Sequence, residues 1–159
     1  MKDQILCAID FSESSLAALQ WANKIARGSN ATLAVLYSYR LLHTGKLNDI
    51  VSFRKKTEED SRKKFAEMEK IVFAGEVPTT FITEIGFFSD NIENFIRKNP
   101  MTLVVLSESM ANTIYDHKGQ SLIQFLKSLR VPLLIVPDRR EEKSVGTIEK
   151  ELPKGRVAI

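Results

Sequence analysis

Leu103-Val104-Val105-Leu106, then Ser107-Glu108-Ser109-Met110-Ala111-Asn112-Thr113-Ile114-Tyr115-Asp116-His117-Lys118-Gly119, then a helical pattern and Leu133-Leu134-Ile135-Val136: the reading of this stretch decides the fold. Four consecutive β-prone apolar residues predict a strand buried on both faces, as a parallel sheet requires. Gln120 to Leu129 carries Leu122, Ile123, Phe125, Leu126 and Leu129 at helical spacing. Val131 to Val136 returns as a second apolar strand. Strand, loop, helix and parallel strand make one βαβ unit. Ligands in such sheets sit beyond the carboxyl ends of strands, so the loop after Leu106 is where function is expected.

Working outward, Ile5-Leu6-Cys7-Ala8-Ile9 predicts a first central strand, broken at Asp10. Ser12, or alternatively Ser15, caps a helix whose inner face is Leu16, Leu19, Ala22 and Ala26, with Gly28 as its left-handed C-cap. Trp21 falls off that face. A second strand spans Ala31 to Tyr39, followed from Arg40 to Ile50 by a loop or ragged helix start. Val51 to Ile71 reads as a long charged helix, with Phe65, Met68, Ile71 and Val72 turned inward. The pairs Lys55/Glu59, Glu58/Arg62 and Glu59/Lys63 support it at i,i+4. Gly75 and Pro78 turn the chain into a third strand, Thr79 to Ile85, which Gly86 ends. Ser89 or Asp90 caps a short helix, Asp90 and Glu93 forming a capping box. Ile92, Phe95 and Ile96 face inward, and Asn99-Pro100 stops the helix.

The resulting β-α-β-α-β-α-β-α-β order implies a single-domain α/β layered fold: a five-stranded parallel sheet with helices on both faces and right-handed crossovers. A chain of 159 residues, 43% hydrophobic and 27% charged, suits one such domain. The division expected is an α/β domain over 1–137 and a charged C-terminal extension over 138–159. Apolar runs of four or five residues are far too short for a membrane span, and Met1-Lys2-Asp3-Gln4 carries no secretory pattern, so a cytoplasmic protein is expected. A net charge of +3, from 23 basic and 20 acidic residues, does not argue for nucleic acid. Basic and acidic runs alternate in the long helix, which reads as a solvated face. Cys7, the only cysteine, is expected as a buried hydrophobe.

No hydrolase elbow, Walker loop or dinucleotide fingerprint is present. His43 and His117 are too few and too poorly placed for a zinc cluster. Asp116, His117 and Glu108 share a loop without any group to orient them as a catalytic set. The residues make no case for an enzyme.

The opening Ile5-Leu6-Cys7-Ala8-Ile9-Asp10-Phe11-Ser12-Glu13-Ser14 resembles the first strand and turn of the universal stress protein family. Arg130-Val131-Pro132-Leu133-Leu134-Ile135-Val136 resembles that family's final strand. The resemblance implies strand order 3-2-1-4-5 and a homodimer paired antiparallel through Leu133, Leu134, Ile135 and Val136. An exposed apolar edge strand needs such a cover in any case, the rival cover being the chain's own extension.

Nucleotide-binding members carry a glycine, two residues, a second glycine, nine residues, then glycine with serine or threonine. Here Ser107 and Met110 occupy the first two glycine positions, and only eight residues separate Met110 from Gly119. Gln120 stands where the hydroxyl belongs, with Ser121 one step late. Asp10, whose family counterpart sits by the adenine, is kept; the second-strand contact to adenine falls near Ser38. The candidate nucleotide pocket is therefore Asp10, Ser38, Ser107, Ser109, Met110, Gly119, Gln120 and Ser121. The leading expectation is a non-catalytic module with a degenerate nucleotide loop and no cofactor, acting through dimerisation and protein partners, with neither nucleic acid nor membrane. The alternative is an ATP- or AMP-binding sensor using the same pocket. A ligase or pyrophosphatase would need a glycine-rich loop after the first strand, and Phe11-Ser12-Glu13-Ser14 is not one.

Overall fold

Each apolar strand alternates its side chains between two faces, and the computed structural model shows both faces covered. It describes residues 2–41, 47–72 and 77–138. The strands are β1 (Gln4–Ile9), β2 (Thr32–Tyr39), β3 (Thr79–Ile85), β4 (Leu103–Ser107) and β5 (Leu133–Val136). They form one sheet in the order β3-β2-β1-β4-β5, every pairing parallel. The expected topology is the observed one.

Among the described residues six helices connect them: α1 (Glu13–Ser29), α2 (Leu47–Val72), α3 (Phe88–Lys98), α4 (Glu108–Asn112), α5 (Ile114–Lys118) and α6 (Leu122–Leu129). Ile5, Cys7, Ile9, Leu33, Val35 and Val105 meet α1 and Phe65 of α2 on one face. Leu6, Ala8, Leu36, Val104 and Leu106 meet Ile92, Phe125 and Leu129 on the other. This two-faced burial makes β1 the centre of the molecule, with Leu6, Cys7 and Ala8 at 0% exposure.

Several local expectations change. The left-handed cap of α1 is Asn30 (φ 56), two residues beyond Gly28; asparagine tolerates this conformation better than most residues. In α2, Phe65 is buried, with Met68 and Val72 half-buried at i+3 and i+7, but Ile71 is 82% exposed. At i+6 from Phe65 it points off the buried stripe. Glu58 pairs with Arg54 (3.9 Å) and accepts the Tyr39 hydroxyl (2.5 Å), while the Arg62 guanidinium lies 5.9 Å from the Phe81 ring centroid. No ion pair joins Lys55, Glu59 and Lys63 among the described residues.

α3 begins directly after Phe87, which offers no side-chain cap, so Ser89 and Asp90 lie inside its first turn and form no capping box. The stretch expected as a loop after β4 is instead two helical turns, α4 and α5. Ser107 and Ser121 are the actual N-caps of α4 and α6, the latter in a full capping box with Gln124. Ile123 is 60% exposed and outside the core. Gly75, His43 and the extension from Arg139 onward lie outside the described residues.

Phe125 is fully buried between α6 and the sheet. Phe125→Ala should cost about 3–5 kcal/mol through lost transfer energy and a residual cavity. The check is a lower urea midpoint with an unchanged denaturant slope.

Candidate functional site

The carboxyl ends of β1 and β2 meet the starts of α3 and α4 around a cavity of about 310 Å³. Four of the expected residues, Asp10, Ser38, Ser109 and Met110, line it together. The other four do not. Ser107 is fully buried beneath, its Oγ accepting from the Met110 amide (3.1 Å). Gly119 (φ 66) closes α5, its amide donating to Tyr115 O at 2.7 Å, and Ser121 opens α6. The Gln120 Oε1 between them is buried without a hydrogen-bonding partner among the described residues.

The β1 turn uses its own polar groups. Asp10 Oδ1 accepts from the Ser12 amide (3.0 Å) and Ser12 hydroxyl (2.5 Å), and the Asp10 amide donates to Ser15 Oγ (3.1 Å). The carboxylate thus shapes an Asx-type turn while bordering the cavity. Phe11 takes φ 64, a costly value for a bulky residue. Its ring is held on the opposite face by Tyr37 (4.8 Å between centroids), with Phe81 at 6.4 Å and the Lys64 ammonium 5.4 Å from its centroid. Burial first, and then the Asp10 charge, push the Tyr37 phenol up from its ordinary value.

Sequence reasoning missed Arg40, Phe87 and His117 in the cavity wall. The His117 ring stacks on Phe87 at 4.4 Å, and the Arg40 guanidinium sits 4.7 Å from the same ring centroid. Arg40 directly follows β2, and Phe87 follows Gly86 after β3. Their strand-end positions were the available signal. Ser38 Oγ accepts from Asn91 Nδ2 (2.9 Å), tying α3 to β2.

The basic residue of the connecting segment does not face this cavity. Lys118 Nζ donates to Asp90 Oδ1 (2.8 Å) and Glu93 Oε1 (3.1 Å) on α3. Asp90 foremost, with Glu93 adding to it, raises the Lys118 pKa above the usual lysine range. On the other side, Ser109 Oγ donates to Asp138 Oδ2 (2.8 Å), and the Asp138 amide donates to Glu108 Oε1 (3.1 Å). The Ser109 hydroxyl is the main cause holding the Asp138 carboxyl below its ordinary value. No group of three or more metal-ligating side chains occurs among the described residues, and no helix there is long and apolar enough to cross a membrane.

The family model described as "Universal stress protein family" matches residues 1–137. This chain belongs to the universal stress protein family. No curated protein matches it. Among solved structures, the universal stress protein UspA from Lactobacillus plantarum is 19% identical at a TM-score of 0.62, covering 86% of this chain and 97% of that one. A universal stress protein in complex with cAMP is 18% identical at TM-score 0.63, covering 86% and 98%. The universal stress protein from Archaeoglobus fulgidus in complex with dAMP is 13% identical at TM-score 0.52, covering 87% and 98%. At these identities the likeness shows the shared fold.

In this universal stress protein, Lys118→Met should lower the melting temperature by a few degrees at neutral pH. Because the folded pKa of Lys118 is raised, its contribution is full below lysine's ordinary value and fades as pH rises through the folded value. The mutant and the parent should therefore converge in strongly alkaline buffer. Calorimetric scans across that range check the sign.

Proposed function

We propose that this universal stress protein is a non-catalytic module with a degenerate nucleotide loop, acting through dimerisation and contact with protein partners. The observation that carries the reading is how fully the segment from Ser107 to Gly119 is engaged with itself and α3. The Met110 amide, which a phosphate would seek, already donates to Ser107 Oγ, and the Met110 side chain is buried at 5% exposure. Lys118, a natural phosphate partner, is neutralised by two carboxylates. Ser107 has an extended backbone and Met110 lies within α4, so neither position demands glycine. A triphosphate would have to displace these contacts before making its own.

Dimerisation is proposed through β5. Among the described residues this strand pairs only with β4, leaving its outer amides and carbonyls without a strand partner there, and Leu133, Leu134 and Ile135 are only half-buried. Pro132 and Pro137 bracket it and favour a closed pair over a filament. The cytoplasm is the proposed location, and neither nucleic acid nor membrane is proposed as a partner.

A second reading, an AMP- or ATP-binding sensor, is favoured by one observation. Asp10, Ser38, Ser109 and Arg40 surround one cavity of about 310 Å³, near the lower end of ordinary ligand pockets. The cAMP and dAMP complexes of its structural neighbours support it as well. The denatured extract of freshly purified protein separates the two readings. A stoichiometric adenine nucleotide there establishes the sensor.

ATP with magnesium at millimolar concentration should leave the melting temperature unchanged, since stabilisation requires binding to the native state. Micromolar binding by calorimetry, abolished in Gly119→Val, would overturn the leading reading. Met110→Gly alone should not create tight binding, because the Ser107 cap and the Lys118 ion pairs persist. For assembly, Leu134→Arg should be monomeric in light scattering while a chain truncated after Arg139 stays dimeric. The reverse pattern would assign the interface to the extension.

A further inference from the structure

α1 carries two apolar stripes. Leu19, Ala22 and Ala26 are buried against the sheet, while Ala17, Trp21 and Ile25, four residues apart, form a second stripe beside them. α1 packs chiefly on β1 and β4 and reaches β5 only in part. The second stripe therefore faces Leu134, Val136 and Pro137 across an open groove of about 600 Å³. Trp21 stands in the middle of the α1 wall and is 49% exposed. Lys24, its ammonium 5.0 Å from the indole ring centroid, is the charged side chain in the lining. A contiguous apolar surface of this kind marks an interaction site.

The strand beside the groove points to its occupant. β5 is the sheet edge among the described residues, and pairing there with a second copy is the assembly proposed above. Four residues of strand, one sheet thick, give a footprint on the order of 130 Å². A stable dimer buries roughly 800 Å² on each partner, so the strand cannot hold two copies alone. The arrangement of α1 supplies the remainder. Lying over β1 and β4, it is about two strand spacings, or ~10 Å, from the line where two β5 strands would meet. A two-fold axis normal to the sheet keeps both α1 helices on one face, roughly 20 Å apart. Helices about 10 Å wide leave a trough about as wide again, floored by Leu134 and Val136 of both copies. Trp21 borders this trough beside the middle of β5, where the axis passes. The rims match in charge as well. α1 returns the chain from the end of β1 to the start of β2 and so runs opposite to β5. The two-fold axis therefore brings the Asp138 end of one copy toward the Lys24 end of the other.

We propose that the groove between α1 and β5 is filled by a second copy of this chain, Trp21 of each copy packing on Trp21 and Leu134 of the other. The inference rests on the β5 dimer and names the side chains that hold it together.

Trp21 is the only tryptophan, so its emission reports on the groove alone. Emission of the full chain should move to the blue, and acrylamide quenching should fall, over the protein concentrations at which light scattering shows the dimer forming. Trp21→Ala should raise the dimer dissociation constant about 30-fold or more in ultracentrifugation, as loss of a central tryptophan anchor does, with unchanged far-ultraviolet circular dichroism. Trp21→Phe, which keeps an aromatic ring, should lose less. A Trp21→Ala dimer as tight as the parent, with Leu134→Arg monomeric, would overturn this inference and leave the β5 dimer standing. A Leu134→Arg chain that still dimerises would remove the β5 reading and this inference with it. Emission that ignores dimer formation would also overturn the proposal, and a red shift on truncation after Asp138 would then give the groove to residues 139–159.

Discussion

Everything in this structure depends on burying both faces of β1. Leu6 and Ala8 point one way, Cys7 and Ile9 the other, and each must meet a packed layer because the strand has hydrogen-bonded neighbours on both sides. Parallel strands cannot be joined by tight turns, so the connections are helices, and the helices supply those layers. Polar groups are thereby excluded from the middle of the molecule and gathered at the carboxyl edge, where β1, β2 and β4 release the chain. Asp10, Ser38, Arg40 and Ser109 share one cavity for this reason. Their separation in sequence is bridged by strand order.

Much of this was legible in the residues. The apolar tetrads Leu103 to Leu106 and Leu133 to Val136 announced central and closing strands because burial on two faces abolishes alternation. Ser12 announced its helix because a hydroxyl after a strand break has one good use, accepting from an unpaired amide at the helix start. The misreadings have equally physical causes. At α3, acidic residues near a helix start suggested a cap, but Asp90 and Glu93 serve Lys118, a partner 28 residues away from Asp90 that no local pattern reveals. The left-handed end of α1 was assigned to glycine although asparagine, two residues later, accepts that conformation. At Ile71 the apolar identity was right but the rotation was wrong by part of a turn.

The candidate site shows the same division. Residues on strand ends, Asp10 and Ser38, could be placed by topology, whereas those on the β4-to-α6 connection depended on how that segment folds. Its two helical turns send Lys118 toward α3 and draw His117 onto Phe87. The aromatic and basic lining from Arg40 and Phe87 escaped a search guided by glycine spacing. Glycine patterns describe where a backbone can approach a phosphate; they are silent about side chains that occupy the cavity wall. The strained turn at Phe11 is a related case, since its ring contacts with Tyr37 and Phe81 come from strands far along the chain.

Cys7 sits at 0% exposure in the middle strand, and burial pushes its thiol far above the ordinary cysteine range. Alkylation requires a thiolate and a path for the reagent, and α1, packed on the face to which Cys7 points, denies both. The single thiol is therefore a clock for the parting of α1 from the sheet, blind to movement around the cavity on the carboxyl edge. Its modification rate under native conditions gives the free energy of that opening, read from one atom without a denaturant.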